Sequence, residues 1–237
     1  LFQGYVKDNP KSVMARYRTA LAHSGKRNTQ QAKAELGEAI KLNPKWERPR
    51  LLMAEINLRE GNYTEAIDQL NIILKENPSN AQAHLALGNA HLSKRNITAA
   101  AAEYDAVIKY SPNTPAGYIQ SSKVLVLQKK NKEALERLEK ALSLQPDNVS
   151  ALQLIASIHT SQKETDKAIT RVQQQIKILP QNSVLYSMLG SLYEAKNDMT
   201  AAESNMKKAI DLNPDMPSLQ TLLAGFYIRQ NLIDKAK

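Results

Sequence analysis

The chain contains no cysteine, which excludes disulfides, thiolate metal sites and cysteine nucleophiles. The lack fits a reducing cytoplasm and a bacterial periplasm equally well, so both compartments stay open for what is expected to be a soluble chain. No apolar run approaches the length of a membrane-spanning helix, so no transmembrane segment is predicted. No secretory signal opens the sequence. The eight glycines are scattered and form no glycine-rich phosphate loop. Carboxylates recur with the spacing of solvated faces and not as an acid–base pair. Three sequons, at Asn62, Asn96 and Asn148, carry no meaning without a secretory route. These absences predict a chain that is not an enzyme, with no cofactor, no metal and no small-molecule substrate.

Charge is present but uneven. The net charge is +9 overall. Residues 1–46 hold nine Lys/Arg against three Asp/Glu, a balance of +6, whereas residues 47–80 hold four against six. Such an excess either keeps a face solvated or attracts a polyanion. The solvated face is the favoured reading, because the aromatic platforms that single-strand binders stack on are missing. Nucleic acid is accordingly disfavoured as a partner.

Proline is the residue that is placed with order. Pro10, Pro44, Pro78, Pro112, Pro146, Pro180 and Pro214 stand on a ladder with a step of 34 residues. A fixed period of this size marks a repeat array. Starting three residues after each proline gives units 13–46, 47–80, 81–114, 115–148, 149–182 and 183–216, with a partial seventh at 217–237. The eighth position of each unit is small: Ala20, Ala54, Gly88, Ser122, Ala156, Gly190 and Ala224. The twentieth is always alanine, from Ala32 through Ala66, Ala100, Ala134, Ala168 and Ala202 to Ala236. Apolar residues at helical spacing on both sides of a polar breaker (Gly61-Asn62, Arg95-Asn96, Asn131, Asn197-Asp198) predict two amphipathic helices per unit. The proline stops the second helix, and small residues in two columns let helix backbones approach closely.

This pattern resembles the tetratricopeptide repeat family. Unit 183–216 carries the signature most fully, through Tyr186, Leu189-Gly190, Tyr193, Ala202, Met206, Ala209 and Pro214. The resemblance implies an all-α, right-handed solenoid of helix-turn-helix hairpins whose first helices line a concave groove. Arg16, Thr19 and Gln175 depart from the pattern, so their units are expected to pack less tightly. Leu1–Gly4 is similar to the site of a viral 3C-type protease and reads as an expression-tag remnant. Residues 5–12 read as the tail of a preceding repeat. The last unit is expected to stop inside its second helix, making the chain a segment of a longer array that can self-associate through truncated ends.

The family implies a scaffold that holds a protein or peptide ligand in the groove. Groove columns two, five, nine, twelve and thirteen then place Leu51, Leu58, Leu85, Leu92, Ile119 and Val126 in one aliphatic stripe, with Glu55, Asn89 and Lys123 beside it. Gln153, Thr160, Ser187 and Glu194 make the later half polar. Asn89 is expected to offer hydrogen bonds to the ligand. Trp46, in a linker at the groove edge, is a candidate anchor or a staple between units. Leu85 and Gln120 stand where a chaperone-tail carboxylate clamp would need other residues, and column six (Arg18, Leu52, Ala86, Gln120, Leu154, Met188, Leu222) carries no asparagine ladder. His23, His91 and His159 fall in one core column. No carboxylate stands at ligand spacing near His84 and His91. An alternative reading, by similarity of style alone, is the accessory arm of a bacterial envelope polysaccharide-export or protein-sorting machine.

Overall fold

The computed structural model describes residues 11–236, so Leu1–Gly4 and most of the expected preceding tail lie outside the described residues. The chain divides into two compact units, residues 1–117 and 118–237. In the first, α1 (Val13–Gly25) pairs with α2 (Thr29–Leu42), α3 (Glu47–Glu60) with α4 (Tyr63–Glu76), and α5 (Ala81–Ser93) with α6 (Ile97–Tyr110). In the second come α7 (Pro115–Leu127), whose first turn straddles the division, α8 (Asn131–Leu144), α9 (Val149–Ser161), α10 (Thr165–Ile178), α11 (Ser183–Ala195), α12 (Met199–Leu212) and α13 (Pro217–Arg229). No strand occurs among the described residues.

Local sequence sets the helix ends. Each second helix stops two residues before a ladder proline. The residue between, Asn43, Asn77, Ser111, Gln145, Leu179 or Asn213, is extended, with φ from −127° to −150° and ψ from 66° to 87°. This keeps the residue out of the α region, as a following proline requires. Two residues after the proline, Asn80, Asn148 and Asn182 restart the chain. Their Oδ1 atoms accept from the N–H groups of Ala83, Ala151 and Val184 at 2.9, 3.0 and 3.0 Å, as N-caps do.

First helices end differently. Arg27, Arg95, Lys129, Lys163, Asn197 and Asn231 take φ between 59° and 64°, and Gly61 takes 79°, at one column of the period. The next N–H donates five residues back: Asn62 to Asn57, Asn96 to His91, Glu164 to His159 and Asp198 to Tyr193, at 2.8 to 2.9 Å. This is the Schellman closure, and it turns the chain sharply into the second helix.

The alanine column packs as expected. Ala32, Ala66, Ala100, Ala134, Ala168 and Ala202 expose no surface. The column-eight glycines are demanded by their neighbours. A Cβ on Gly88 would stand 2.5 Å from Tyr104 Cε1, and one on Gly190 would stand 2.7 Å from Met206 Cγ. Elsewhere in the first unit, Ala20 shares a core cluster with Leu36, and Ala54 shares one with Leu70.

Gln175 departs from the pattern with its polar groups satisfied. It is buried, its amide donating to Pro146 O at 2.5 Å while its Oε1 accepts from Arg171 Nη1 at 3.0 Å. Where the seventh second helix was expected, Ile233–Lys235 forms a single 3-10 turn, which leaves Ala236 half-buried.

Candidate interaction surface

The aliphatic stripe divides once the helices pack. In the first unit Leu51 is 8% exposed and belongs to the core with Ala54, Leu70, Ile73, Ala83 and Leu87. Leu58 packs half-buried against the same cluster. Leu85, Asn89 and Leu92 are half-buried on one face of α5, while Glu55 on α3 is fully exposed. In the second unit Ile119 is likewise 8% exposed, with Lys123 and Val126 half-buried on α7. Leu51 and Ile119 are therefore core residues and not free surface. Adjacent helices come close enough to cover them.

Asn89 is also partly committed. Its Oδ1 accepts from the Tyr104 hydroxyl at 2.8 Å, which fixes the amide and leaves its NH2 without a partner among the described residues. Tyr104 exposes nothing, and burial pushes its phenol up to about 12. Trp46 sits at the N-terminal cap position of α3, half-buried, with its ring edge-on to Tyr17 at a centroid distance of 4.9 Å. That contact joins α1 to the start of α3.

Of the polar residues expected in the second unit, two bond back to their own helices. Thr160 donates to Ala156 O at 2.8 Å and Ser187 to Val184 O at 2.9 Å. Gln153 is exposed. Glu194 accepts two bonds from Arg229, at 2.7 and 2.9 Å. Glu203 is held down at about 2, chiefly by its hydrogen bond from Lys207 and then by that from Tyr227, so it is a fixed ionic partner and not a poised base.

A recurrent polar clip was not visible in single columns. Residues 19 apart join the two helices of a hairpin: Arg16 to Glu35 at 2.8 Å, Arg50 to Gln69 at 2.8 Å and His84 to Glu103 at 2.6 Å. The last brings Glu103 of α6 beside His84, a partner that spacing along one helix does not reveal. The other ring nitrogen of His84 faces Pro78 O at 2.9 Å. Among the described residues no three potential metal ligands converge, and no helix is long and apolar enough to cross a membrane. His23, His91 and His159 are half-buried, His159 against Glu164 at 3.0 Å.

Sequence reading missed the exposed apolar side chains of α1. Met14 is 47% and Leu21 43% exposed. They belong to groove columns two and nine of the first unit, and together with Tyr17 they recur at helical spacing. The signal was their place in columns two and nine, which stay exposed in the next unit as Arg48 and Glu55.

Models of tetratricopeptide repeats match residues 17–69, 51–116, 125–192 and 184–216, most of the chain. No curated protein matches. Among solved structures the chain is similar to pilF of Pseudomonas aeruginosa, with 20% identity, 90% of this chain and 97% of that one covered, and a TM-score of 0.67. It is similar to YrrB, a protein of the same repeat with an unusual peptide-binding site, at 20% identity, 78% and 95% coverage and a TM-score of 0.54. It is also similar to a chain of the APC/C Cut9–Hcn1 hetero-tetramer, at 14% identity and a TM-score of 0.66, with 94% of this chain but only 44% of that one covered. It thus spans less than half of that chain, and likeness at these identities speaks for the fold alone. The repeated helical hairpins, their alanine column and the matched models agree: the chain belongs to the tetratricopeptide repeat family.

Proposed function

We propose that the chain is a non-catalytic scaffold, built of six repeats over residues 13–216 and part of a seventh, that binds a peptide or helix of a partner protein on its first-helix faces. The observation that carries this is α5. Leu85, Asn89 and Leu92 lie at i, i+4 and i+7, each half-exposed, and Asn89 is held by Tyr104 with its NH2 directed to no partner among the described residues. An apolar face with one oriented donor suits a short helix or an extended segment. Family membership supports the same reading, since these arrays generally serve protein interaction.

The test is capture of a partner from native lysate, followed by direct binding of that purified partner to the chain and to Leu85→Asp and Leu92→Asp. Circular dichroism checks that each variant keeps its helix content. Loss of binding by folded variants supports the face. Full affinity in both would move the contact elsewhere. Ile119 and Leu51 are unsuitable probes, because a charge there would enter the core.

A further inference from the structure

We infer that the exposed stripe of α1 takes an acidic peptide segment carrying a large apolar side chain. The inference rests on the scaffold reading and adds the chemistry of the partner.

Met14, Tyr17, Arg18 and Leu21 share one face of α1 by their i, i+3/i+4, i+7 spacing. Trp46 stands edge-on to Tyr17 and extends the apolar surface to the start of α3. Arg59 reaches the same face, donating to Ser24 Oγ at 3.0 Å one turn beyond Leu21. Met14 and Leu21 are about half exposed, so an apolar side chain can be buried here without moving the core.

Charge decides which segment fits. Every carboxylate of residues 11–46 already has a cation: Glu35 has Arg16 at 2.8 Å and Glu38 has Lys41 at 2.7 Å. Glu47, next to Trp46, is committed to the amides of Asn77 and Asn80 at 3.0 and 2.5 Å. Arg18 and Arg48 are exposed and make no hydrogen bond or ion pair among the described residues. Arg59 donates to the neutral hydroxyl of Ser24 and the Glu55 carbonyl, and its charge also acts on the neighbouring Glu60 carboxylate that Lys33 holds. Arg18 and Arg48 are thus the guanidiniums left without an ionic partner near the apolar stripe, with Glu47 and the exposed Glu55 as the nearby carboxylates that no cation holds. Carboxylates of a ligand would meet planar, uncompensated donors at its rim, while its apolar residue would sit on Leu21 and Tyr17.

The experiment uses the full chain and three labelled synthetic peptides followed by fluorescence anisotropy. One is rich in Glu and Asp around a central Leu-Phe, one has Ala-Ala in place of Leu-Phe, and one has Lys and Arg in place of the acids. The first should bind at least about tenfold tighter than either control. Leu21→Asp should weaken it roughly tenfold, as loss of an interface anchor does. Arg18→Glu with Arg48→Glu should transfer the preference to the basic peptide. All three substituted positions are at the surface, so circular dichroism should not change.

Equal binding of the basic peptide, or full affinity in Leu21→Asp, overturns the inference. So does an acidic peptide that binds only once Phe2→Asp and Tyr5→Asp are introduced, which would make the chain's own first residues the occupant. A dimer dissolved by Leu21→Asp in sedimentation would assign the face to a second copy and likewise overturn it. If Leu85→Asp abolishes peptide binding and Leu21→Asp does not, this inference falls while the scaffold reading stands. If neither Leu85→Asp nor Leu92→Asp affects binding of the captured partner, the α5 face of the scaffold reading falls on its own test.

Discussion

Gly88 and Ala54 hold the same place in successive hairpins, and what separates them is the residue opposite. Ala54 shares its core cluster with Leu70, which holds the place of Tyr104 one period earlier, whereas Gly88 faces Tyr104, whose ring leaves 2.5 Å for a Cβ. Tyr104 cannot swing away, because it is fully buried and anchored to Asn89. Gly88→Ala should therefore lower stability by about 1–3 kcal/mol through overpacking. Adding Tyr104→Leu recreates the Ala–Leu pair of the neighbouring hairpin and should recover part of that loss. Urea midpoints of the four corners of the cycle measure the coupling, and simple additivity would refute the pairing. Tyr104 also predicts alkaline behaviour. Its folded phenol ionises near 12, above the unfolded value of 10, so its contribution is complete below pH 10. It is lost as pH rises toward 12, with a slope of at most about 1.4 kcal/mol per pH unit. The fall in urea midpoint across that interval should be shallower in Tyr104→Phe.

At the scale of the element, the turn between helices carries a cost that the chain accepts in six of seven places. Arg27, Arg95, Lys129, Lys163, Asn197 and Asn231 all have positive φ, a conformation that penalises a side chain by about 1–2 kcal/mol. Lys129→Gly should then stabilise the protein by about 0.5–1 kcal/mol, the strain relief less the added freedom of the unfolded chain. Gly61→Ala should destabilise by a similar amount. Thermal melts showing the opposite order would mean that the Schellman geometry is not what limits these turns. The hairpins themselves were legible in the sequence. The proline ladder marked the breaks between hairpins, and two columns of small residues marked the helix contacts, because proline geometry and close packing each act within one position. Ala134→Leu, at a contact with no exposed surface, should accordingly cost roughly 1–3 kcal/mol in a urea melt. Exposure was less legible. Leu51 and Leu85 share a column, yet one is core and the other half-exposed, since burial depends on the neighbours a column does not name. The clips Arg16–Glu35 and His84–Glu103 were hidden for a related reason: each needs two columns read together.

For the molecule as a whole, the contacts run mostly between helices adjacent in the chain, α1 with α2, α2 with α3, and so on within each compact unit. First helices of successive hairpins also touch, as α3 with α5 and α9 with α11. Stability in such an array is close to a sum of each repeat and its interfaces, so a defect should stay near its origin. Gly88→Ala supplies the defect, because its clash lies between α5 and α6. Amide hydrogen exchange should quicken in α5 and α6 and, less, in α3 and α4, which pack on them. Amides of α9 to α12 should keep their wild-type protection, because they belong to the other compact unit. Local opening free energies differ across one protein in this way when cooperative units are smaller than the chain. Equal acceleration in all helices would instead mean that residues 11–236 open as one body. The free energies of substitutions in the two units would then report on a single transition, and a melt of either variant could not be assigned to its own hairpin.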